Sequence, residues 1–520
     1  PIIGNTVYVS TYDSLYNPAN PITESTDLTY HALRANTDNN HVIWASIEYD
    51  RLPDAAGDSM MILKDWAYTD KQYLRLSNVT GGDSVFVYDL RNRVRQVGLV
   101  EEIGGVPTAR VITLGFPNTR DLIVATDAAV RTPGIEAATL NNLYQTNNDA
   151  DFIIITHRGF TSSAETYKEY RDTATTHPLT ARIVYTDEIY DEFGYGTITP
   201  WAIKRFCKYA LDNYSTKPKY FLLWGKGPFL TRGQESASIV PTYGYPATDY
   251  EFIGHFDQNS NMVNPEAAIG RVNIFSNDEG LAYLNKVNEY EHTPWNSWMK
   301  EGVFLGGGAN QAEQNAISGA FNFMIGAFTD IPFGGKPHYF QKNSASTIID
   351  PTTASYHDQI TEGVQVIHFF GHSTSNILDI SIRQPFEYNN FGRYPLMVAM
   401  GCYGGDFTAG ESFGESWIKQ PRRGAIGYIA NSSAGYLNPL RAYGQIFYTR
   451  LYQSFLGQPV GDALRNSLVT YTDSLVGIQF RNHGRQLNLQ GDPAVKLYSA
   501  QRPDLEIDET SVYFTPDNFT

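Results

Sequence analysis

Two cysteines in 520 residues, Cys207 and Cys402, leave no material for a disulfide scaffold and argue against a metal site built from thiolates. A thiol in conspicuous surroundings therefore needs its own explanation. Long apolar runs are missing too: no stretch reaches the roughly 18 residues that a membrane-spanning helix needs. Positive charge is scarce, with 39 Lys and Arg against 55 Asp and Glu and a formal net charge of -16. That balance repels nucleic acid and anionic membranes alike. The opening residues Pro1-Ile-Ile-Gly lack both a charged start and an apolar h-region, so either a targeting signal has been removed or the chain begins internally. Neither an internal repeat nor a low-complexity segment is present.

What the chain does have is core material, with 42% hydrophobic residues including 35 Tyr and 28 Phe. Its length implies about three to four folding units. Residues 1–150 are rich in short alternating or β-branched runs, such as Ser84-Val-Phe-Val-Tyr-Asp-Leu and Thr108-Ala-Arg-Val-Ile-Thr-Leu, with Gly104-Gly105 as a turn. They read as an all-β domain. From 151 the texture changes to buried strand, helix, buried strand: Phe152-Ile-Ile-Ile-Thr, a helix over 161–173, then Ala181-Arg-Ile-Val-Tyr. Thr199-Pro200 opens a helix with Ile203, Phe206, Ala210 and Leu211 on one face, and Tyr220-Phe-Leu-Leu-Trp is the next strand. Ala268-Ile-Gly-Arg-Val and the helix start Ser276-Asn-Asp-Glu279 complete a first α/β subdomain over 151–295, closed by the break at Thr293-Pro294-Trp295. A second, over 296–500, has Gly302-Val-Phe-Leu-Gly, a helix around 310–328, and buried strands at 364–370 and 395–400. This rhythm predicts parallel sheets covered on both faces. Residues 501–520 read as the opening strands of a further β module, so the chain is expected to be a fragment.

The chemistry lies at the ends of those last two strands. Val364-Gln-Val-Ile-His-Phe-Phe runs into Gly371-His372-Ser373, and Pro395-Leu-Met-Val-Ala-Met into Gly401-Cys402-Tyr403-Gly404-Gly405-Asp406-Phe407. Ligand crevices of open parallel sheets form at strand C-termini, where neighbouring strands bring together residues 30 positions apart. A nucleophilic thiol needs a base, here His372, and backbone N–H donors for the charged carbonyl oxygen, for which those of Ser373 and Cys402 are the candidates. Gly401 allows a tight turn, and Gly404 and Gly405 keep the backbone slim for an approaching substrate. Cys207, inside the apolar helix Trp201–Ala210, and His368, inside its strand, read as core residues. A zinc ion on His368, His372 and Cys402 lacks a matching fourth ligand.

These blocks resemble the caspase-like cysteine peptidases, and Cys402-x-x-Gly405-Asp406-Phe407 resembles the gingipain (C25) family in particular. Asp151–His157, Tyr190–Phe193, Ile269-Gly-Arg271, Lys286 with Tyr290-Glu291, Gly424–Asn431 and Leu489-Gln-Gly-Asp492-Pro493 look like landmarks of that fold, in order, over about 151–500. The resemblance implies two consecutive α/β/α subdomains, the second catalytic, and an immunoglobulin-like module after 500. It implies a cysteine endopeptidase with Cys402 as nucleophile and His372 as acid/base, acting on protein or peptide substrates and requiring no cofactor. Tyr436 and Leu440 look like walls of a pocket for an apolar or small P1 residue. Asp406, Glu411 and Glu415 are either ligands of a structural calcium ion, as such domains often hold, or solvated and helix-capping carboxylates.

The chain departs from the family where gingipains carry Gly-His-Gly, having Ser373 instead. In Gly306–Gln314, where gingipains place acids that orient the histidine and bind a basic P1 side chain, Glu313 is the only acid and its register does not match. Arg or Lys specificity is therefore not expected. Asp379 is another candidate to orient His372. The β N-terminal region, the Gly-His-Ser-Thr-Ser variant and the β start after 500 resemble the sortase of the type IX secretion system. That likeness implies an enzyme at the bacterial outer-membrane surface, working with outer-membrane secretion components, that removes C-terminal signal domains from secreted cargo. A surface or secreted endopeptidase, or a catalytically silent scaffold of the same machine, are the alternatives.

Overall fold

A computed structural model describes residues 53–497, apart from position 66 and 135–139, 230–238, 255–263, 345, 347–354, 409 and 475–477. The expected β module at 501–520 lies outside the described residues. Two compact units are present, one over residues 40–139 and one containing 140 onward.

In the first unit, β1 (Met60–Asp65), β2 (Gln72–Ser77), β3 (Ser84–Asp89), β4 (Val94–Ile103), β5 (Val106–Thr113) and β6 (Arg120–Thr126) form a six-stranded sheet in the order β1-β6-β3-β4-β5-β2. Every pairing is antiparallel. Alternation turns Val85, Val87, Val111, Leu122 and Val124 to one side as a small separate core. Gly104 and Gly105 make the tight β4–β5 turn with φ of +64° and +83°, a conformation open to glycine.

The second unit carries β7 (Phe152–Thr156), α1 (Thr161–Glu169), β8 (Ala181–Tyr185), α2 (Thr186–Gly194), α3 (Pro200–Asn213), β9 (Tyr220–Trp224), β10 (Ala268–Val272) and α4 (Asn277–His292). It continues with β11 (Glu301–Gly306), α5 (Gln311–Thr329), β12 (Lys336–Gln341), α6 (Tyr356–Glu362), β13 (Val366–Phe370), β14 (Leu396–Met400) and α7 (Phe413–Lys419). β15 (Gly427–Asn431), α8 (Leu437–Thr449), α9 (Val460–Ser474), α10 (Ile478–Gln486) and β16 (Leu487–Gly491) complete it. The central strands are buried along their whole length, as their unbroken apolar runs require. Thr199 caps α3 by accepting from the Trp201 amide, and Ser276 caps α4 by accepting from that of Glu279.

The sequence suggested a sheet for each half, but the two halves share one of ten strands, ordered β12-β11-β13-β14-β15-β16-β10-β9-β7-β8. β16 joins them, antiparallel to β15 and parallel to β10. Strands on either side of that seam therefore run in opposite directions, and one apolar core extends through both halves. Buried polar bonds reinforce the seam. Lys286 of α4 donates to the carbonyls of Trp417, Arg423 and Ala425 at 3.0, 3.2 and 3.0 Å. Arg171 pairs with Glu291 at 2.8 Å and with Asp492 at 2.5 Å. Gly491-Asp492-Pro493 is thus a structural junction, with Asp492 also accepting from the Tyr167 hydroxyl and the Ala494 amide.

Candidate active site

β13 and β14 pair in parallel with Phe370 opposite Met400, so Gly371-His372 and Gly401-Cys402 leave the sheet side by side. The two loops are in close contact. Gly371 N–H donates to the Met400 carbonyl at 3.1 Å, and the Ser373 hydroxyl to the Cys402 carbonyl at 2.8 Å. A Cβ at Gly401 would stand 2.2 Å from Ser373 Oγ, so only glycine fits before the thiol.

Cys402 is half-buried, and its Sγ receives the Gly435 amide at 3.4 Å. Tyr403 turns the chain in the left-handed region at φ +58°. Its amide and that of Gly405 then donate to the carbonyls of Ser433 and Asn431, both at 2.8 Å. Among the described residues, the amides of Ser373 and Cys402 donate to no protein acceptor. Cys207 is fully buried and desolvation pushes its thiol well up, which makes it inert core material. His368 is equally buried, bonded through Nδ1 to Tyr448 at 2.9 Å, and held neutral by desolvation with its pKa down to about 3.

The acid position behind the histidine, which looked empty in the sequence, is filled by Glu313. Its Oε2 lies 2.9 Å from His372 Nε2 and 2.8 Å from the Ala309 amide. The His372 bond first, then the Ala309 amide, holds the Glu313 carboxyl below its ordinary range. Asn310 caps α5 and sets Glu313 in its first turn. β11 is flanked by β12 on one side and β13 on the other, so the chain reverses its direction of travel across the sheet here, the place where open parallel sheets form their ligand crevices. Glu313 arrives from the first turn of α5, just after β11, and His372 from the loop after β13. A carboxylate on Nε2 fixes the proton there and leaves Nδ1 for proton exchange.

Asp379 does not touch the imidazole. Its amide donates to the His372 carbonyl at 2.9 Å, while its buried carboxylate accepts from the Gly308 amide at 2.9 Å and faces Lys342 Nζ at 3.3 Å. It ties the loop that carries His372 to the loop that leads to Glu313. Side chains at Gly307 or Gly371 would collide with it, at 2.1 and 2.5 Å.

Of the expected substrate-contacting residues, Tyr436 is 39% exposed while Leu440 is only 2% exposed. Leu440 belongs to the first turn of α8, which points it inward under Gly435, so it walls no accessible pocket. Gly404 has open space where a Cβ would be, with its nearest neighbour at 3.5 Å. Gly405 is glycine because β15 lies against it, the Ala430 carbonyl standing 2.6 Å from a Cβ position.

The three acids considered for calcium are engaged separately. Asp406 caps Thr408 at 2.9 Å, and Glu411 pairs with Lys419 at 3.0 Å. Glu415 pairs with Lys226 at 2.5 Å and forms a capping box with Ser412 at the start of α7. Two ammonium groups among these carboxylates do not fit a divalent cation, and among the described residues no group of three His, Cys, Asp or Glu is gathered for a metal. No described helix is long and apolar enough to cross a membrane.

The fold is that of known peptidases. Gingipain R (RgpB), an Arg-specific cysteine proteinase, is similar with a TM-score of 0.53 at 14% identity, over 68% of this chain and 79% of that one. The Porphyromonas gingivalis complex of RgpB pro- and mature domains matches with the same score and identity, over 67% and 80%. Dimeric latent PorU from the same organism gives 0.42 at 14% identity, over 82% of this chain and 38% of its own. No curated protein matches. Peptidase family C25 matches residues 145–498, the whole of the ten-stranded unit with its histidine, acid and thiol, and the chain belongs to that family.

Proposed function

We propose that this chain is a working cysteine endopeptidase that trims secreted proteins at the outer-membrane surface, as a type IX secretion sortase. The observation that supports activity is the pairing of His372 Nε2 with Glu313 beside a half-buried thiol that receives the Gly435 amide. A decayed site has no need of that arrangement. Cys402 thiolate attacks the peptide carbonyl, and the amides of Ser373 and Cys402 take the charge on its oxygen. His372 Nδ1, having taken the proton of the Cys402 thiol, gives it to the leaving amine. Water, or an amine of a surface glycolipid, then releases the acyl group.

Selectivity for a basic P1 residue is not part of this reading, because Glu313 is committed to His372. The exposed aromatic and aliphatic groups Tyr403, Tyr436 and Ile377 favour apolar or small side chains. The antiparallel β unit that precedes the peptidase supports the sortase role over that of a free secreted endopeptidase. Its partners would be cargo carrying C-terminal signal domains, and the outer-membrane secretion components that deliver them. The test is Cys402→Ala in the producing bacterium, with cargo followed by immunoblot. Accumulation of uncleaved cargo is expected; unchanged processing would overturn the reading and leave a silent scaffold.

A further inference from the structure

Beyond the histidine and acid, a second imidazole holds the nucleophile's surroundings in place. The segment Asn431–Tyr436, from the last residue of β15 to the start of α8, is bonded on one side to the Cys402 loop. It takes the amides of Tyr403 and Gly405, and gives the Gly435 amide to Cys402 Sγ. Gly435 presses so closely that a Cβ there would stand 2.8 Å from the Gly401 carbonyl oxygen. On its other side the same segment is bonded to α10. Tyr436 N–H donates to His483 Nε2 at 2.8 Å, Gln486 Nε2 donates to the Ala434 carbonyl at 2.9 Å, and Ser432 N–H to the Gln486 carbonyl at 2.9 Å. α10 is therefore a splint, and consecutive amides face opposite ways: that of Gly435 to the thiol, that of Tyr436 to the imidazole.

We propose that His483 is a positioning residue for catalysis, which as a neutral Nε2 acceptor holds the Gly435 amide on the Cys402 sulfur and the Tyr436 ring at the rim of the crevice. An amide N–H can only donate, so Nε2 must offer a lone pair. His483 is 2% exposed, its ring lies 5.3 Å from that of Tyr436, and it touches neither the thiol nor the open crevice. Its effect passes through one peptide unit. With the acceptor gone, the Tyr436 amide would seek water and the Gly435–Tyr436 peptide would rotate, moving the Gly435 carbonyl that lies 3.5 Å from Cys402 Sγ and, through the Gly435 Cα, the Gly435 amide that donates to the sulfur. The role rests on Cys402 being the nucleophile.

The test uses the full chain with iodoacetamide, reading alkylation of Cys402 by peptide mass spectrometry with Cys207 as the internal slow reference. His483→Leu, of similar bulk and no acceptor, is expected to slow Cys402 alkylation roughly 3- to 10-fold, the range of one hydrogen bond. His483→Gln, whose carbonyl reaches the place of Nε2, should restore most of the wild-type rate. Should the Leu variant not fold, His483→Asn replaces it, since its acceptor is too short to reach Tyr436 and it should react as slowly. Equal rates in the Gln and the acceptor-lacking variant would overturn the proposal. A wild-type Cys402 that reacts no faster than Cys207 would instead sink the nucleophile assignment beneath it.

Discussion

Replacing Glu313 by Gln keeps a hydrogen-bond acceptor near His372 Nε2 while removing the charge. The two side chains are 37% and 58% exposed, so water screens the pair. At 2.9 Å a water-like dielectric leaves about 1.4 kcal/mol of bare attraction, and exposed ion pairs return about 0.2–1 kcal/mol once ordering is counted. The Gln variant should therefore alkylate at Cys402, and hydrolyse casein, at most about fivefold more slowly than wild type. Glu313→Leu also removes the acceptor that holds the tautomer, adding about 0.5–1.5 kcal/mol for a loss on the order of tenfold. Because pairing lowers the Glu313 pKa from 4.5, its charge acts fully above that pH and fades as pH falls further. The gap between wild type and Gln should stay constant from about pH 5 to 8 and close in stronger acid. A hundredfold loss in the Gln variant, or equal losses in Gln and Leu, would refute the argument that exposure limits this acid to a modest share.

Asp492→Ala leaves the guanidinium of Arg171, 1% exposed, with Glu291 as its only ion-pair partner among the described residues, at a cost of about 3–5 kcal/mol. With about 2.1 cal/mol/K per residue over some 360 residues, calorimetry should show the peptidase unit melting about 4–7 °C lower. Burial raises the Glu291 carboxyl, but the Arg171 charge and the hydroxyls of Thr175 and Tyr170 outweigh it, and the net shift is downward from 4.5. Its stabilisation is thus complete above pH 4.5 and lost below, so the melting-temperature difference between wild type and Glu291→Gln should narrow on acidification. A chelator such as EDTA should leave the melting temperature unchanged in calcium-free buffer, because Lys226 and Lys419 already neutralise Glu415 and Glu411; a drop of several degrees would restore the metal.

Strands such as Phe152–Thr156 and Leu396–Met400 were legible in the sequence because burial on both faces leaves a continuous apolar run. The caps at Thr199 and Ser276 were legible because a helix start satisfies its orphan amides locally. His372 and Cys402 could be paired since each follows such a strand directly. Glu313 was not legible: its contact spans 59 residues and depends on β13 lying beside β11, which no local pattern reports. Its signal was topological, a capped helix start just after a strand that would neighbour the histidine's. Carboxylates at 406, 411 and 415 left a cation open because neither the pairing of Glu415 with Lys226, 189 residues away, nor that of Glu411 with Lys419 across the start of α7 is visible in a local pattern. Leu440 misled because the rotation of α8 decides which side of its first turn faces solvent. The single sheet was hidden for a related reason, since nothing in Leu487–Gly491 marks an antiparallel neighbour.

β16 is the last described strand of the chain and stands at the middle of its sheet. A polypeptide emerging N-terminus first therefore releases Cys402 well before the strand that closes the seam and the α10 splint that precedes it. At about 5–20 residues per second, the stretch from 402 to 491 delays closure by on the order of 5–20 s. Through that interval β15 lacks the partner on its open side, and the thiol sits in an unfinished crevice. The order of the strands thus leaves the surroundings of Cys402 without their central seam until the chain has been released as far as residue 491.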